Sequence, residues 1–188
     1  MSIRNPLVQA PEAFRKQLIA VIPRLRRYAR ALSFDSVPAD DLVQTALERA
    51  LSHWHQFDQR RDLMVWVLSI CHNAFLDLRR RDARMTYLDS ADLSDYQDKV
   101  SSDPGVDMGL RMDLQAALAS LPPQQREPLL LVSLEQLTYA ECAELLQIPV
   151  GTVMSRVSRG RVALRSWLDG DAPGERSDLP PRGLRRVV

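Results

Sequence analysis

The stretch LTYAECAELLQIPVGTVMSRVSRGRVALRSWL runs from Leu137 to Leu168, and the fold turns on how it reads. Thr138 and Glu141 form a capping box, in which each side chain satisfies a backbone N–H that a helix start leaves without a partner. Leu137 before the cap and Cys142 at the fourth helical position are placed for a hydrophobic staple. The spacing predicts a short helix to Leu146, a tight turn around Gln147 to Gly151, and a second helix from Val150 to Leu168. That is a helix-turn-helix pattern. At about 100° per residue, Val153, Val157, Gly160, Leu164 and Trp167 fall on one side of the second helix, the side that packs. Gly160, with no side chain, lets a neighbouring helix come close. Ser155, Ser158, Arg159 and Val162 face directly away. Thr152 and Arg156 lie on one flank of that outward face, and Met154, Arg161 and Arg165 on the other. Hydroxyls and forked donors on an exposed face suit a major groove, where Arg pairs with guanine edges. Arginines on the flanks suit phosphates. The plainer alternative is an amphipathic surface helix with solvated arginines. The capped helix and tight turn ahead of it favour the groove-reading form.

Outward from this stretch, the chain reads as helix almost throughout. Phe14, Leu18, Ile22, Leu25, Ala29 and Leu32 recur at three and four, predicting a first helix over Glu12 to Leu32, kinked at Pro23. A second helix is expected from Pro38-Ala39-Asp40-Asp41, since proline and acids suit a first turn. Gln56 to Asp62 reads as a polar loop. A third helix, Leu63 to Arg84, starts apolar and ends in arginines, which a helix C-terminus favours. Residues 113–121 and 124–136 predict two more helices, separated by Pro122-Pro123.

The formal net charge is only +1, so bulk charge does not announce a nucleic-acid binder. Local clusters set the field a phosphate feels. Arg79, Arg80, Arg81 and Arg84 form one basic cluster, and Arg156, Arg159, Arg161 and Arg165 another. Between them, Thr86 to Leu110 carries six Asp and one Lys, with a Pro-Gly pair and weak periodicity. The fold class expected is all-α: two small helical domains, residues 1–85 and 111–169, joined by a flexible acidic linker over 86–110. The second domain is the helix-turn-helix. Residues 170–188, rich in proline, glycine and charge, are expected to be a disordered tail.

The C-terminal run resembles region 4 of bacterial sigma factors of the extracytoplasmic-function (ECF) group. The residues that carry the resemblance are Leu137-Thr138-Tyr139, Ile148-Pro149-Val150-Gly151-Thr152-Val153, Ser155-Arg156, Arg159 and Arg161. The resemblance implies that this helix reads the −35 promoter element. Met154, Ser155, Ser158 and Arg159 would approach bases, and Thr152, Arg156 and Arg161 would hold phosphates. Met154 stands where the family often has Lys or Arg, so a charged contact is missing there. Asp41-Leu42-Val43-Gln44 matches the family's region 2.2 motif. It implies that Asp40, Asp41, Leu42, Val43 and Gln44 bind the clamp helices of the RNA polymerase β′ subunit. Thr45 replaces the family's usual acid. The stretch DLMVWVLSICHNAFLDLRRR resembles regions 2.3 and 2.4, with Trp66 and Asn73 at the family's spacing. Asn73 and the loop Gln56 to Asp62 would hold an unstacked base of the −10 element, because an extruded base offers edges an amide can read. Arg79, Arg80, Arg81 and Arg84 would neutralise the backbone near the melted strand. Helix N-terminal stabilisation is a second role for Asp40 and Asp41, and core packing is one for Leu42 and Trp66.

The resemblance implies an alternative sigma factor that binds core RNA polymerase, at the β′ clamp helices and β flap, and directs promoter DNA recognition, melting and initiation. An anti-sigma factor is a further expected partner. Two other readings remain: a sigma-mimicking protein that sequesters an anti-sigma factor, and a helix-turn-helix repressor. Other signals point away from catalysis and membranes. Cys71 and Cys142, far apart in apolar patterns, read as reduced core thiols of a cytoplasmic protein. His53, His55 and the Cys71-His72 pair do not converge on a helix, so neither metal nor cofactor is expected. No phosphate-binding glycine loop or nucleophile elbow occurs, so no enzyme is expected. No run approaches the ~20 apolar residues of a membrane span, and the stretch MSIRNPLVQAPEAFRK lacks a secretion signal's apolar core.

Overall fold

Seven α-helices and one short 3-10 turn make up the regular structure of the computed structural model over its described residues, 10–86 and 108–169. Most of the expected linker and the expected tail lie outside the described residues. The helices are α1 (Glu12–Ser33), α2 (Ser36–Ser52), α3 (Leu63–Thr86), α4 (Met108–Ser120), α5 (Pro123–Ser133), α6 (Tyr139–Leu146) and α7 (Val150–Leu168). The 3-10 turn, Trp54–Gln56, falls between α2 and α3.

α1 runs as one helix through Pro23. It ends at Phe34, whose positive φ of 59° terminates the helical path. α2 begins two residues before the expected start. Asp35 is its N-cap, its side chain accepting a hydrogen bond from the Val37 N–H at 2.8 Å. Asp40 and Asp41 therefore stand in the second turn, and the expected role for them at the helix N-terminus is corrected. Asp62 does that service for α3, accepting from the Met64 N–H at 2.7 Å. α4 starts earlier than expected. α5 stops three residues earlier than expected, because Gln136 turns to φ 60°. The capping box of α6 is present in full, with Glu141 accepting from the Thr138 N–H and Thr138 Oγ1 accepting from the Glu141 N–H.

α1, α2 and α3 pack on one another, and α5, α6 and α7 do likewise with α4 against α7. The first group closes over Leu25, Tyr28, Ala46, Val67, Leu68 and Cys71, all fully buried. The second closes over Leu131, Cys142, Val153 and Val157. Each large apolar side chain removed from water contributes about 1.5–3 kcal/mol. Gly160 does what its lack of a side chain suggested: a Cβ there would lie 3.3 Å from the Gln125 carbonyl oxygen on α5. The core does not stop at the boundary between the groups. It continues as one cluster, with α1 against α5 and α3 against α6.

Candidate polymerase and nucleic-acid interfaces

α7 is held from behind and open in front. Val153, Val157 and Gly160 are buried against α5 and α6. Met154, Ser155, Ser158, Arg159, Arg161 and Val162 are exposed, while Thr152 and Arg156 are half-buried on one flank. Leu164 and Trp167 are only partly covered. Arg159 is not loose in solvent: its Nε donates to the Ser155 carbonyl at 3.2 Å, and its Nη2 lies 3.4 Å from Ser155 Oγ. Ser155 Oγ in turn donates to the Thr152 carbonyl. The guanidinium is thus laid along the outward face, with donors left over for an external acceptor. Met154, 52% exposed, places a flexible apolar side chain among these donors.

α2 separates its motif into inside and outside. Leu42 and Val43 are buried in the core, so they position the motif and have no free surface for a partner. Asp40, Asp41 and Gln44 are exposed. Asp40 Oδ1 lies 3.1 Å from Arg26 Nε, and Gln44 Nε2 donates to Glu48 Oε1 at 3.0 Å. Among the described residues Arg26 pairs with Asp40, and no cation pairs with Asp41.

On α3, Trp66 packs in an aromatic cluster with Phe57 at 5.2 Å and Phe14 at 6.3 Å between ring centroids. Half-buried, it also lines a cleft of about 560 Å³ together with Asn73 two helical turns on. Arg60, Arg61 and Asp62 bring the preceding loop to the same cleft. Arg79 lies over the Phe75 ring at 5.8 Å, Arg80 lies 3.7 Å from Asp77, and Arg81 is exposed. Arg84 stands in the last turn of α3, outside the residues whose side chains are described.

Nothing in the local sequence marked the groups that join the halves. Glu135, its side chain with no exposure, receives Arg24 at 3.2 Å and Arg27 at 3.0 Å. Arg24 Nη2 also donates to the Glu135 carbonyl, and Arg27 Nη2 to the Leu134 carbonyl. Gln115 Nε2 donates to the Phe34 carbonyl, and Arg126, buried, stacks on the Phe34 ring at 4.7 Å. Glu127 lies 3.9 Å from His72 and 3.8 Å from Arg79. Arg24 and Arg27 lie within α1, Gln115 within α4 and Glu135 in the turn after α5, and none has a local partner that would flag it in the sequence. Among the described residues, no three of His, Cys, Asp and Glu gather where they could hold a metal ion, and no helix is long and apolar enough to cross a membrane.

Residues 111–164 match the family model for sigma-70, region 4, and residues 18–72 match that for the Sigma2 domain of PhyR. The chain is 36% identical over 179 residues to the ECF RNA polymerase sigma factor EcfG of Rhodopseudomonas palustris, covering 94% of this chain and 95% of that one. It is 37% identical over 150 residues to the ECF RNA polymerase sigma factor SigE of Mycolicibacterium smegmatis, covering 77% of this chain and 57% of that one. Among solved structures it is similar to the sigma factor RpoE in complex with the anti-sigma factor NepR from Bartonella quintana. That similarity has a TM-score of 0.78 at 29% identity, over 86% of this chain and 99% of the other.

Proposed function

The chain belongs to the ECF RNA polymerase sigma factors, and from that premise we propose how its surfaces divide the work of promoter recognition. Residues 1–85 serve as the part that binds core polymerase and the −10 element, and residues 111–169 as the part that reads the −35 element. Asp40, Asp41 and Gln44 of α2 meet the β′ clamp helices. Trp66, Asn73 and the loop before α3 take an unstacked −10 base, with Arg79, Arg80, Arg81 and Arg84 along the strand. On α7, Met154, Ser155, Ser158 and Arg159 face bases, and Thr152, Arg156 and Arg161 face phosphates. The acidic segment 86–110 follows a positively charged path through the polymerase, where its Asp residues stand in for nucleic acid. The chain works by binding, with no bond-making step of its own, and in the cytoplasm where core polymerase and promoter DNA are.

One observation carries this reading: a helix packed by Val153, Val157 and Gly160 that leaves hydroxyls and arginines, without an acid, on its free face. The test is run-off transcription by core polymerase with and without the chain on a set of promoters. Asp41→Lys should abolish co-purification with core enzyme while leaving the helical circular dichroism intact, since Asp41 is exposed and makes no core contact. Unchanged core binding would remove α2 from the interface. The match of residues 18–72 to the Sigma2 domain of PhyR favours a second reading, a mimic that sequesters an anti-sigma factor. A mimic would not support run-off transcription at any promoter. The exposed arginines of α7 favour the sigma factor.

A further inference from the structure

Among the four residues of α7 assigned above to bases, Met154 alone has no proton to donate. It is 52% exposed and lies in the first half of the helix. Val150, one turn earlier on the same strip, is 43% exposed. The polar neighbours of Met154 are drawn back along the helix. Ser155 Oγ donates to the Thr152 carbonyl at 3.0 Å, and Arg159 Nε to the Ser155 carbonyl at 3.2 Å. A recognition helix brings the residues of its N-terminal part to base edges in the major groove. There guanine offers two acceptors, cytosine a donor, adenine one of each, and thymine an acceptor and a methyl group. A thioether accepts only weakly, so its one good partner among these is the thymine methyl. Facing a G·C pair it would cover polar edges without replacing the water it displaces, which is unfavourable. Its long unbranched side chain adjusts to where the methyl group stands.

We propose that Met154 determines specificity at one A·T pair of the −35 element, and that it does so by reading the 5-methyl group of the thymine. This rests on the assignment of α7 to the −35 element. The pair is selected twice over, by contact with the methyl group and by the cost of covering a G·C edge. Val150 lies four residues before Met154, near enough on a helix surface to extend the apolar patch. Val162, 68% exposed, lies in the second half of α7, beyond the part that reaches base edges. A basic residue in place of Met154 would reverse the choice, because Lys or Arg pairs with guanine O6 and N7.

The test uses holoenzyme assembled from core polymerase and the full chain, on a promoter that supports run-off transcription. The thymines of its −35 element, on both strands, are replaced one at a time by deoxyuridine. Deoxyuridine still pairs with adenine and lacks only the methyl group. At one position the replacement should weaken promoter binding about fourfold, the worth of one buried methyl group. In Met154→Ala holoenzyme the same replacement should change nothing further, and in Val162→Ala holoenzyme it should keep its full effect. Met154→Arg should move the preference at that pair from A·T to G·C. Both positions are exposed, so these variants should keep the helical circular dichroism of the unsubstituted chain. If no thymine responds to loss of its methyl group, or if the response survives undiminished in Met154→Ala, the inference fails while the assignment of α7 stands. A −35 element built only of G·C pairs would overturn it as well. If scrambling the whole −35 element leaves transcription unchanged, the assignment of α7 itself falls, and the inference with it.

Discussion

Arg159 and Arg161 stand two residues apart on α7, yet their surroundings differ. Arg159 is laid on the outward face by Ser155, and Arg161 sits on the flank. Arg159→Ala should cost about 1–3 kcal/mol at one −35 base pair and relax specificity there. Arg161→Ala should weaken all promoters alike and lower the salt slope of binding by about one. Transcription from a library of −35 variants, with binding followed across salt, separates them. A uniform loss from both substitutions would deny Arg159 a base contact. His72 behaves differently again. It is buried, with the Tyr28 hydroxyl 3.4 Å from Nδ1 and Glu127 3.9 Å from Nε2. Burial pushes its pKa down to about 4. The folded state thus disfavours the imidazolium, so the stabilising contribution is complete above the ordinary value of about 6.5 and is lost as the pH falls towards 4. A displacement of that size corresponds to about 3 kcal/mol. Glu127, whose carboxyl pKa is raised by burial, acts in the opposite sense, its burial costing less as it protonates. The urea midpoint should therefore fall more between pH 7 and pH 5 in the unsubstituted chain than in His72→Gln. Equal falls would clear the histidine.

At the scale of the element, α6 and α7 hold together through local chemistry. Thr138→Ala removes the acceptor for the Glu141 N–H and should cost about 1 kcal/mol in thermal unfolding. The carboxyl pKa of Glu141 is itself lowered by the hydrogen bonds from Thr138, so the cap is present above the ordinary carboxylate range and weakens in acid. Gly160→Val should cost more, about 1–3 kcal/mol from overpacking, because even a Cβ meets a backbone carbonyl of α5 at 3.3 Å. If Gly160→Val left the melting temperature unchanged, the close approach of α5 and α7 would be wrong. The cap and the glycine were both legible in the sequence, because each is specified within three or four residues or by helical period. Helix starts were less so. α2 begins at Ser36 because Asp35 takes the cap, although Pro38 with two following acids read as the better start.

For the whole molecule, the decisive group is Glu135. Glu135→Ala leaves Arg24 and Arg27 facing a buried gap and exposes two arginines to one another. It should cost about 3 kcal/mol, the low end for breaking a buried pair because both arginines remain half in water. It should also lower energy transfer between a donor dye on α1 and an acceptor dye on α7, and a loss of stability with transfer unchanged would show that Glu135 braces the C-terminal half alone. By itself the sequence determined the helical class, the helix-turn-helix, the face of α7 that packs and the face that is free. It did so because caps, turns and the 3.6-residue period are written within a few residues of one another. Only the tertiary structure decided that Val43 joins Leu42 inside while Asp41 stays exposed, and that α6 stands over Asn73. The contacts responsible, such as Arg24 with Glu135, join residues 111 positions apart. No local period records such a pairing; it exists only when the packing of apolar faces brings two distant charges together and removes the water between them.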